Sequence, residues 1–444
     1  MNIYIYIVFM PIKYKKFSNG MKLVYQKNNK KITSMDIFIK VGSVNEPKEL
    51  AGVAHFIEHM VFKGTKRLKN SEIISQVFDS IGAYINAHTL LEYTYYSVKC
   101  DSDYAKLCLD TLLDMILHSI FDKKEIAKEK HVVIEEITTI KDNPSNLIGE
   151  LSYESLFTGS NLSNSIGGTP EVILKYNYTK ILEFYKHFYR AENLVISVCS
   201  NLSFTKICGL IQKQNIKNRA IKKLTAFVPQ MTITLPKEQI ILHQKKLEKT
   251  YIAVGFRVCG TNHPDYYALD LLKIILTGNM SSLLFVELRE KNGLTYSVYI
   301  DFDTHTTIGN FIIVTNVDKD KIFNNYKKQG ALDVIMETLT NLKKTGVNDE
   351  QINIAKGYLK GALTLSQENT TNISEINGIR YLFNQEDKNI PIEDIFEKKY
   401  KKVTKNKINY VIKKYLTKTN MSTAYIGNNI KDLKKKLLKS EKKL

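Results

Sequence analysis

The sequence predicts an α+β protein with two homologous α/β-roll domains, in each of which helices cover a sheet, because one pattern occurs twice along its 444 residues. In both occurrences, a β-rich run of alternating apolar and polar residues meets a polar turn that contains proline. The turn passes directly into an apolar helix. The length agrees with a duplication, since two domains of roughly 200 residues are expected for a chain of this size.

The two copies can be followed through the sequence. In the first copy, the strand-like stretches MKLVYQKN (21–28) and SMDIFIKVGS (34–43) precede the turn NEPKELAG and a helix at 51–63. In the second copy, TYIAVGFRVCG (250–260) precedes TNHPDYYALDLL and a helix near 265–276. The first helix contains two histidines, His55 and His59, and the second contains none. The two copies therefore differ in their chemistry.

The predicted domain boundaries follow from this pattern. We expect a first domain at 12–213 and a homologous second domain at 240–430. The segment 214–239 between them is polar and basic and holds two of the eight prolines, which is typical of a linker. The lysine-rich tail at 431–444 is predicted to be a solvated, frayed end.

The composition limits the classes of function. Hydrophobic residues make up 43% of the chain, enough for large cores, and the formal net charge is +19. This charge raises the question of nucleic acid, anionic membrane or acidic peptide as a partner. However, the lysines are scattered throughout, as a biased composition produces, and no nucleic-acid motif is present. We therefore expect no specific nucleic-acid site; the rival hypothesis predicts strongly salt-dependent binding to DNA or RNA.

The cysteines and the first residues bear on localisation. The five cysteines are widely spaced and form no CxxC motif, which argues against a disulfide framework or a cysteine zinc site. They suit the cytoplasm or another reducing compartment. The start MNIYIYIVFM lacks the basic region and cleavage site of a signal peptide and is too short to span a bilayer. We expect an edge strand there, or a true start at Met10, and a soluble protein.

The stretch AGVAHFIEHMVFKG (51–64) carries the chemistry. On a helix, His55 and His59 are separated by about 400° and about 6 Å along the axis, so both rings point the same way. Glu58 lies within the same arc of about 100°. Two imidazoles one turn apart can bind one zinc ion, and the adjacent carboxylate can reach a zinc-bound water. This H-x-x-E-H order is the inverzincin pattern; a chance occurrence is the alternative.

A catalytic zinc needs a third protein ligand. The best candidates lie on the amphipathic helix predicted at 123–144, where Glu129 and Glu136 share one face within about 20° and Glu135 points about 100° away. The alternative is that these acidic residues only form pairs with lysines along the helix, such as Glu125 with Lys128. Spacing alone does not choose the ligand.

Three stretches together resemble a known family: NEPKELAGVAHFIEHMVFKGT (45–65), INAHTLLEYTYY (85–96) and EKHVVIEEI (129–137). They are similar to the pitrilysin family of zinc peptidases, close to its mitochondrial processing peptidase and bacterial single-chain relatives. The resemblance covers about residues 12–420. It implies one Zn²⁺ per chain, Glu136 as the third ligand after an interval of the family's usual length, and Glu129 as a carboxylate that orients a ligand.

The resemblance also concerns the second half of the chain. MSSLLFVELREKNGLTYSVY (280–299) looks like the family's second-domain motif, so Arg289 and Tyr296 are implied to reach the active site as oxyanion donors. The alternatives are a surface salt bridge of Arg289 with a neighbouring glutamate and ordinary core packing of Tyr296. The preceding LTGNMSS (276–282) has fewer glycines than the family pattern.

The segment 86–100, NAHTLLEYTYYSVKC, is expected to be an edge strand beside the metal, to which a peptide adds as a further strand. Asn86 and Ala87 match the family's substrate-pairing positions. His88 is an alternative metal ligand, but a lone histidine is more often a surface residue, and we leave it out.

The expected function is a zinc-dependent endopeptidase of short or unfolded peptides, which the family cleaves in a two-domain clamshell chamber. Glu58 would act as general base on the zinc-bound water. The alternative is a non-proteolytic assembly subunit of the same fold. The resemblance leaves open whether the chain works alone, as a homodimer or with a non-catalytic homologue. The positive charge makes basic presequences less favoured substrates.

Overall fold

The computed structural model describes residues 11–214, 216, 239–323, 329–428, 432–442 and 444, so residues 1–10 and nearly all of the predicted linker lie outside the described part. The strands are β1 (Lys13–Lys16), β2 (Lys22–Lys27), β3 (Ile32–Ile39), β4 (Tyr84–Thr89), β5 (Thr94–Asp101), β6 (Leu194–Ser200), β7 (Ile240–Gln244), β8 (Lys249–Cys259), β9 (Val298–Thr304), β10 (Ile308–Asp318) and β11 (Met421–Gly427). The helices are α1 (Val53–Val61), α2 (Ser71–Asp79), α3 (Ala105–His118), α4 (Lys123–Asp142), α5 (Pro144–Phe157), α6 (Pro170–Leu174), α7 (Tyr178–Phe188), α8 (Phe204–Lys213), α9 (Tyr266–Thr277), α10 (Leu283–Phe285), α11 (Ala331–Thr345), α12 (Asp349–Ser366), α13 (Thr370–Leu382), α14 (Ile392–Lys398), α15 (Lys405–Tyr415) and α16 (Leu433–Glu441).

The elements that the repeated pattern predicts are confirmed. The predicted strands are β2, β3 and β8, and the predicted helices are α1, α4 and α9, with boundaries that differ by a few residues at most. The α+β class with two sheet-and-helix domains is likewise confirmed, because the described residues form one six-stranded and one five-stranded sheet.

The compact units are not continuous in sequence. Unit 1 comprises the described residues of Met1–Ile137, Ser165–Pro229 and Thr364–Asp394, and unit 2 comprises those of the remaining segments. Consequently α5, from the first half of the chain, belongs to unit 2, and α13, from the second half, belongs to unit 1. The predicted domains are each continuous in sequence, so the prediction placed α5 in the first domain and α13 in the second. We refer to this difference as the exchange of helices.

Unit 1 is built on the six-stranded sheet, with the order β1-β2-β6-β3-β5-β4. Side chains alternate across a strand, so Met35, Ile37 and Ile39 of β3 enter the large apolar core with α1, α3 and α7. Phe38 points to the opposite face and belongs to a smaller cluster there. Nearly every residue of β3 is buried because both faces of the sheet are covered.

Helix α13 covers that opposite face through polar as well as apolar contacts. The Ser197 hydroxyl donates to the Ser374 carbonyl (2.6 Å), and the Ser374 hydroxyl donates back to the Ser197 carbonyl (3.1 Å). At Gly378 the helix backbone lies so close to Phe38 that a Cβ would stand 2.1 Å from the ring. A glycine is therefore required at this contact.

Unit 2 has the sheet order β7-β11-β8-β10-β9. Helix α5 packs on β8 and β11. The Ser155 and Ser422 hydroxyls lie 3.2 Å apart, and Asn310 donates to the Tyr153 hydroxyl (2.8 Å). In the same unit, α9 packs on β9 and on α15. Each unit is therefore a sheet with helices packed on it, as the duplication predicts.

Most of the described C-terminal tail is helical, since α16 spans Leu433–Glu441, and this corrects the prediction of a frayed end. Leu433 and Leu437, four residues apart on α16, are buried. The Glu441 carboxylate accepts a hydrogen bond from the Thr423 hydroxyl (2.8 Å). The prediction was wrong because it weighed the cluster of lysines and overlooked the helical spacing of the leucines.

Two further observations concern the whole of the described chain. All five cysteines are buried free thiols. Among the described helices, none is both long enough and apolar enough to cross a bilayer.

Replacing Asp265 with asparagine is expected to lower the free energy of unfolding by about 2 kcal/mol at neutral pH. Asp265 directly precedes α9, and its carboxylate accepts hydrogen bonds from Lys407, from Lys414 (2.8 Å) and from the Tyr415 hydroxyl (2.8 Å). Burial acts to raise the pKa of Asp265, but these donors outweigh it and lower the pKa from 3.8 to about 2.

Because the folded-state pKa is depressed, the contribution of Asp265 is fully present above the unfolded pKa of 3.8 and is lost as the pH falls towards 2. Urea unfolding at pH 7 and at pH 3 measures the difference, with Asp320→Asn, at an exposed position, as the control. A deficit of the Asp265 variant that is equal at both pH values would contradict the assignment.

Candidate metal centre

The candidate centre is built on α1, whose N-terminus is held by a distant carboxylate. Glu46 accepts the backbone N–H groups of Gly52 and Ala54, both at 2.7 Å. Burial raises the pKa of Glu46 to about 8, although both backbone donors favour its ionised form. Gly52 has φ +92°, and a Cβ there would lie 2.4 Å from the Gly167 carbonyl oxygen. These contacts therefore fix the backbone conformation at the start of α1, just before His55.

Three of the predicted residues converge on one point in unit 1. The Nε2 atoms of His55 and His59 lie 3.2 Å apart. The Glu136 carboxylate approaches His59 Nε2 at 3.3 Å and His55 Nε2 at 3.8 Å. One donor atom from each of the three residues lies within 4.8 Å of the others. Helix α4 thus places the Glu136 carboxylate next to His55 and His59.

This donor set fits a zinc ion. Two imidazole nitrogens and one carboxylate oxygen are zinc ligands, and three protein ligands leave a fourth position open. Because His59 shares its Nδ1 proton with Glu129, the Nε2 lone pair is directed towards His55 and Glu136. At these distances either a proton on one Nε2 forms a hydrogen bond between the rings, or a cation between the three donors takes its place.

The surroundings of the two histidines shift their pKa values in opposite directions. Burial, and then the charge of His59, lower the pKa of His55 to about 4, so His55 is neutral at neutral pH. For His59 burial acts in the same direction, but the hydrogen bond with Glu129 and the charges of Glu136 and Glu129 outweigh it and raise the pKa. A metal binds a histidine ring through a nitrogen that carries no proton. As the pH falls, metal binding must therefore displace the additional proton of His59.

Glu129 orients His59 from the far side of the ring. Its carboxylate is 3% exposed; one oxygen lies 2.8 Å from His59 Nδ1, and the other lies 2.6 Å from Lys63 Nζ. Burial opposes ionisation, yet the hydrogen bonds with His59 and Lys63 lower the pKa of Glu129. Lys63, which the sequence analysis did not single out, therefore keeps this buried carboxylate charged.

Replacing Glu129 with glutamine is expected to weaken zinc binding roughly 10- to 100-fold. The amide keeps the shape but loses the charge that favours the proton on His59 Nδ1. Competition of the protein with a chelating dye measures the Kd, and Glu125→Gln on the same helix is the matched control. An unchanged Kd for the Glu129 variant would show that His59 is oriented by other contacts.

Glu58 lies beside the histidines but outside the group of three converging donors. Its Oε2 accepts a hydrogen bond from the Thr89 hydroxyl at 2.5 Å. Burial raises the pKa of Glu58, and the hydrogen bond from Thr89 works against that rise. The result is a desolvated carboxylate that is held by its own donor, which suits proton transfer. Thr89 was not among the predicted site residues.

The segment 86–100 is not a single edge strand, which corrects that prediction. It spans most of the hairpin of β4 and β5, and only β4 lies at the edge of the sheet. Asn86 and Ala87 lie on β4, where the Asn86 side chain accepts the Ala87 N–H (2.9 Å). His88 is exposed and lies against Asn86 (3.2 Å), outside the converging donors.

Arg289 and Tyr296 lie in unit 2 and contact each other. Arg289 lies in a turn of π-helix at Val286–Lys291 and donates to the Tyr296 carbonyl (3.1 Å). Its guanidinium stacks on the Tyr296 ring at 4.4 Å and also lies 3.6 Å from Glu290. Tyr296 is 73% exposed, so the alternative of core packing is wrong. The salt-bridge alternative for Arg289 describes one of its contacts.

Comparison with known proteins agrees with this geometry. The profile "Insulinase (Peptidase family M16)" matches residues 22–170, and the profile "Peptidase M16 inactive domain" matches residues 175–359. An uncharacterized zinc protease of Bacillus subtilis, YmxG, is 32% identical over 83% of this chain and 87% of its own length. An uncharacterized zinc protease of Rickettsia felis is 34% identical over 86% of this chain and 90% of its own length.

Solved structures agree in fold. A protease from Helicobacter pylori superposes with a TM-score of 0.85 at 20% identity, over 94% of this chain and all of the other. An M16-like peptidase from Alicyclobacillus acidocaldarius superposes with a TM-score of 0.82 at 17% identity, over 95% of this chain and 99% of the other. At these identities the likeness establishes the architecture alone.

Proposed function

Since the chain belongs to the insulinase family of peptidases, peptidase family M16, we propose that it is a zinc-dependent endopeptidase that hydrolyses internal bonds of short or unfolded peptides. The observation that carries the proposal is the convergence of His55, His59 and Glu136, with the carboxylate of Glu58 beside them but outside the ligand group. A purely structural zinc site closes all four positions and has no use for this further carboxylate.

In this proposal His55, His59 and Glu136 hold one Zn²⁺ per chain. The ion supplies a Lewis acid that lowers the pKa of a water molecule and polarises the scissile carbonyl. Glu129 fixes the tautomer of His59 by accepting its Nδ1 proton. Lys63 balances the buried charge of Glu129 and so keeps it able to accept that proton.

Glu58 is the proton carrier. Its carboxylate accepts the proton of the attacking water and passes it to the leaving amine. The raised pKa that burial causes brings the carboxylate closer to the pH at which it works. The hydroxyl of Thr89 donates to Oε2 of this carboxylate and so helps to hold it in place.

Arg289 and Tyr296 are proposed as donors to the oxyanion that develops during hydrolysis. The proposal rests on their match to the family's second-domain motif, and it is consistent with the exposed Tyr296 ring and with the cation stacked on it. Because Arg289 stacks on Tyr296, the two act as a pair, and loss of one is expected to displace the other.

The substrate is proposed to pair with β4, at Asn86 and Ala87. In the described sheet β4 is hydrogen-bonded to β5 on one side and is an edge on the other. Main-chain pairing of this kind is largely indifferent to sequence and requires an extended peptide. The expected substrates are therefore unfolded or short chains of varied sequence.

The test is to incubate the zinc-loaded protein with a pool of unfolded peptides and to identify the products by mass spectrometry. The proposal expects cleavage at internal bonds, loss of cleavage when zinc is removed by a chelator, and recovery when zinc is returned. If protein that carries one zinc cleaves no peptide of the pool, the endopeptidase assignment fails, and an assembly subunit of the same fold becomes the better explanation.

A further inference from the structure

The hydroxyl of Thr89 links the edge strand β4 to Glu58. Thr89 is the last residue of β4, and its Oγ1 lies 2.5 Å from Glu58 Oε2. The bond joins residues 31 positions apart in the sequence, and Glu58 is only 9% exposed. A short hydrogen bond to a carboxylate is stronger than one between neutral groups, so it can hold the rotamer of Glu58.

The direction of this hydrogen bond follows from the chemistry of the two groups. An ionised carboxylate can only accept, so the Thr89 hydroxyl is the donor to Glu58 Oε2. The neighbouring Thr94 of β5, which pairs with Thr89, uses its own proton for the Val41 carbonyl at 2.9 Å.

The same strand offers an edge for pairing. In the described part of the sheet, β4 pairs only with β5, and Asn86 and Ala87 lie three and two residues before Thr89. A peptide that adds to this edge forms main-chain bonds that stiffen β4 up to its end. Thr89 is both a residue of this strand and a donor to the carboxylate, so the strand and Glu58 are in direct contact.

We propose that Thr89 is a positioning residue whose hydroxyl holds Glu58 through Oε2, and that pairing of a peptide along β4 thereby orders this carboxylate. The inference rests on the proposed function, in which Glu58 carries the proton. It assigns to β4 a second task besides binding the substrate.

The test compares Thr89→Val with Thr89→Ser. The valine variant keeps the β-branched shape but lacks the donor, and its kcat is expected to fall roughly 10- to 100-fold, the effect of one lost hydrogen bond to a charged group. The KM and the zinc Kd are expected to stay unchanged. The serine variant restores the hydroxyl and is expected to recover most of the kcat.

A matched control separates positioning from stability. Thr33→Val removes a buried hydroxyl of the same sheet, one that contacts Ser102 and Ser200 and not Glu58. It is expected to lower the Tm without lowering kcat. In addition, Thr89→Val in a Glu58→Gln background is expected to cause no further loss, because Thr89 acts only through Glu58.

Two outcomes would overturn the inference while leaving the peptidase assignment intact: an unchanged kcat of Thr89→Val, or a loss that serine does not restore. A wild-type protein that cleaves nothing would instead refute the proposed function. Even then a crystal structure of Thr89→Val decides the positioning claim, because a Glu58 carboxylate that stays in place without the hydroxyl contradicts it.

Discussion

Replacing Glu58 with glutamine is expected to lower kcat roughly 10²- to 10⁴-fold while one zinc ion stays bound. Glutamine has the same shape, and its amide oxygen can still accept the hydrogen bond from Thr89. It cannot take a proton from water at neutral pH. Because the converging donors are His55, His59 and Glu136, the substitution leaves the metal ligands untouched.

The measurement pairs steady-state cleavage of one identified peptide with a count of bound zinc in the same sample. Glu72→Gln, at an exposed position on α2, is the matched control and is expected to behave like the wild type. Retained activity in the Glu58 variant would mean that another group carries the proton. Lost activity together with lost zinc would mean that Glu58 supports the metal.

The second large effect is expected for His55→Ala, which should abolish zinc binding at micromolar protein and with it all cleavage. The remaining pair, His59 and Glu136, offers two ligands where a catalytic zinc needs three. The loss should exceed the roughly 10- to 100-fold weakening expected for Glu129→Gln, since that substitution removes only a partner of a ligand.

His88→Ala is the control for this experiment, because His88 is an exposed histidine on the neighbouring strand β4 and lies outside the converging donors. It is expected to bind zinc as the wild type does. Zinc content after dialysis, followed by titration with a chelating dye, measures both variants. Equal zinc loss in the two variants, or none in His55→Ala, would contradict the ligand assignment.

The parts of the site that are local in sequence could be predicted from it. His55, Glu58 and His59 lie on one helical face, and elementary helix geometry brings them together. Glu136 lies on another helix. Its spacing from Glu129 showed that both lie on one face of that helix, but it did not show which of them binds the metal. Only the resemblance to a family singled out this residue, and the convergence in unit 1 agrees with that choice.

The residues that the sequence analysis missed act across long distances in the chain. Lys63 and Thr89 lie inside the motifs that were considered, but no spacing rule connects Lys63 with Glu129 or Thr89 with Glu58. Both are ordinary polar residues whose role appears only when a buried carboxylate is found beside them. A search for donors near each candidate carboxylate would have needed the fold.

The exchange of helices could not be predicted from local patterns. The apolar residues of α5 and α13 follow a helical period only weakly, and no local pattern says which sheet these helices cover. In α13, Ser374 is buried and hydrogen-bonded to Ser197 of the sheet. A serine in a helix usually indicates an exposed position, and here tertiary contacts override that rule.

The measurement that tests the central claim most directly is a zinc titration of the metal-free protein, followed by the rate of internal cleavage of an unfolded peptide. The account predicts that the rate rises in proportion to bound zinc and stops rising at one ion per chain. A chain that binds one zinc at His55, His59 and Glu136 and never cleaves a peptide would contradict it.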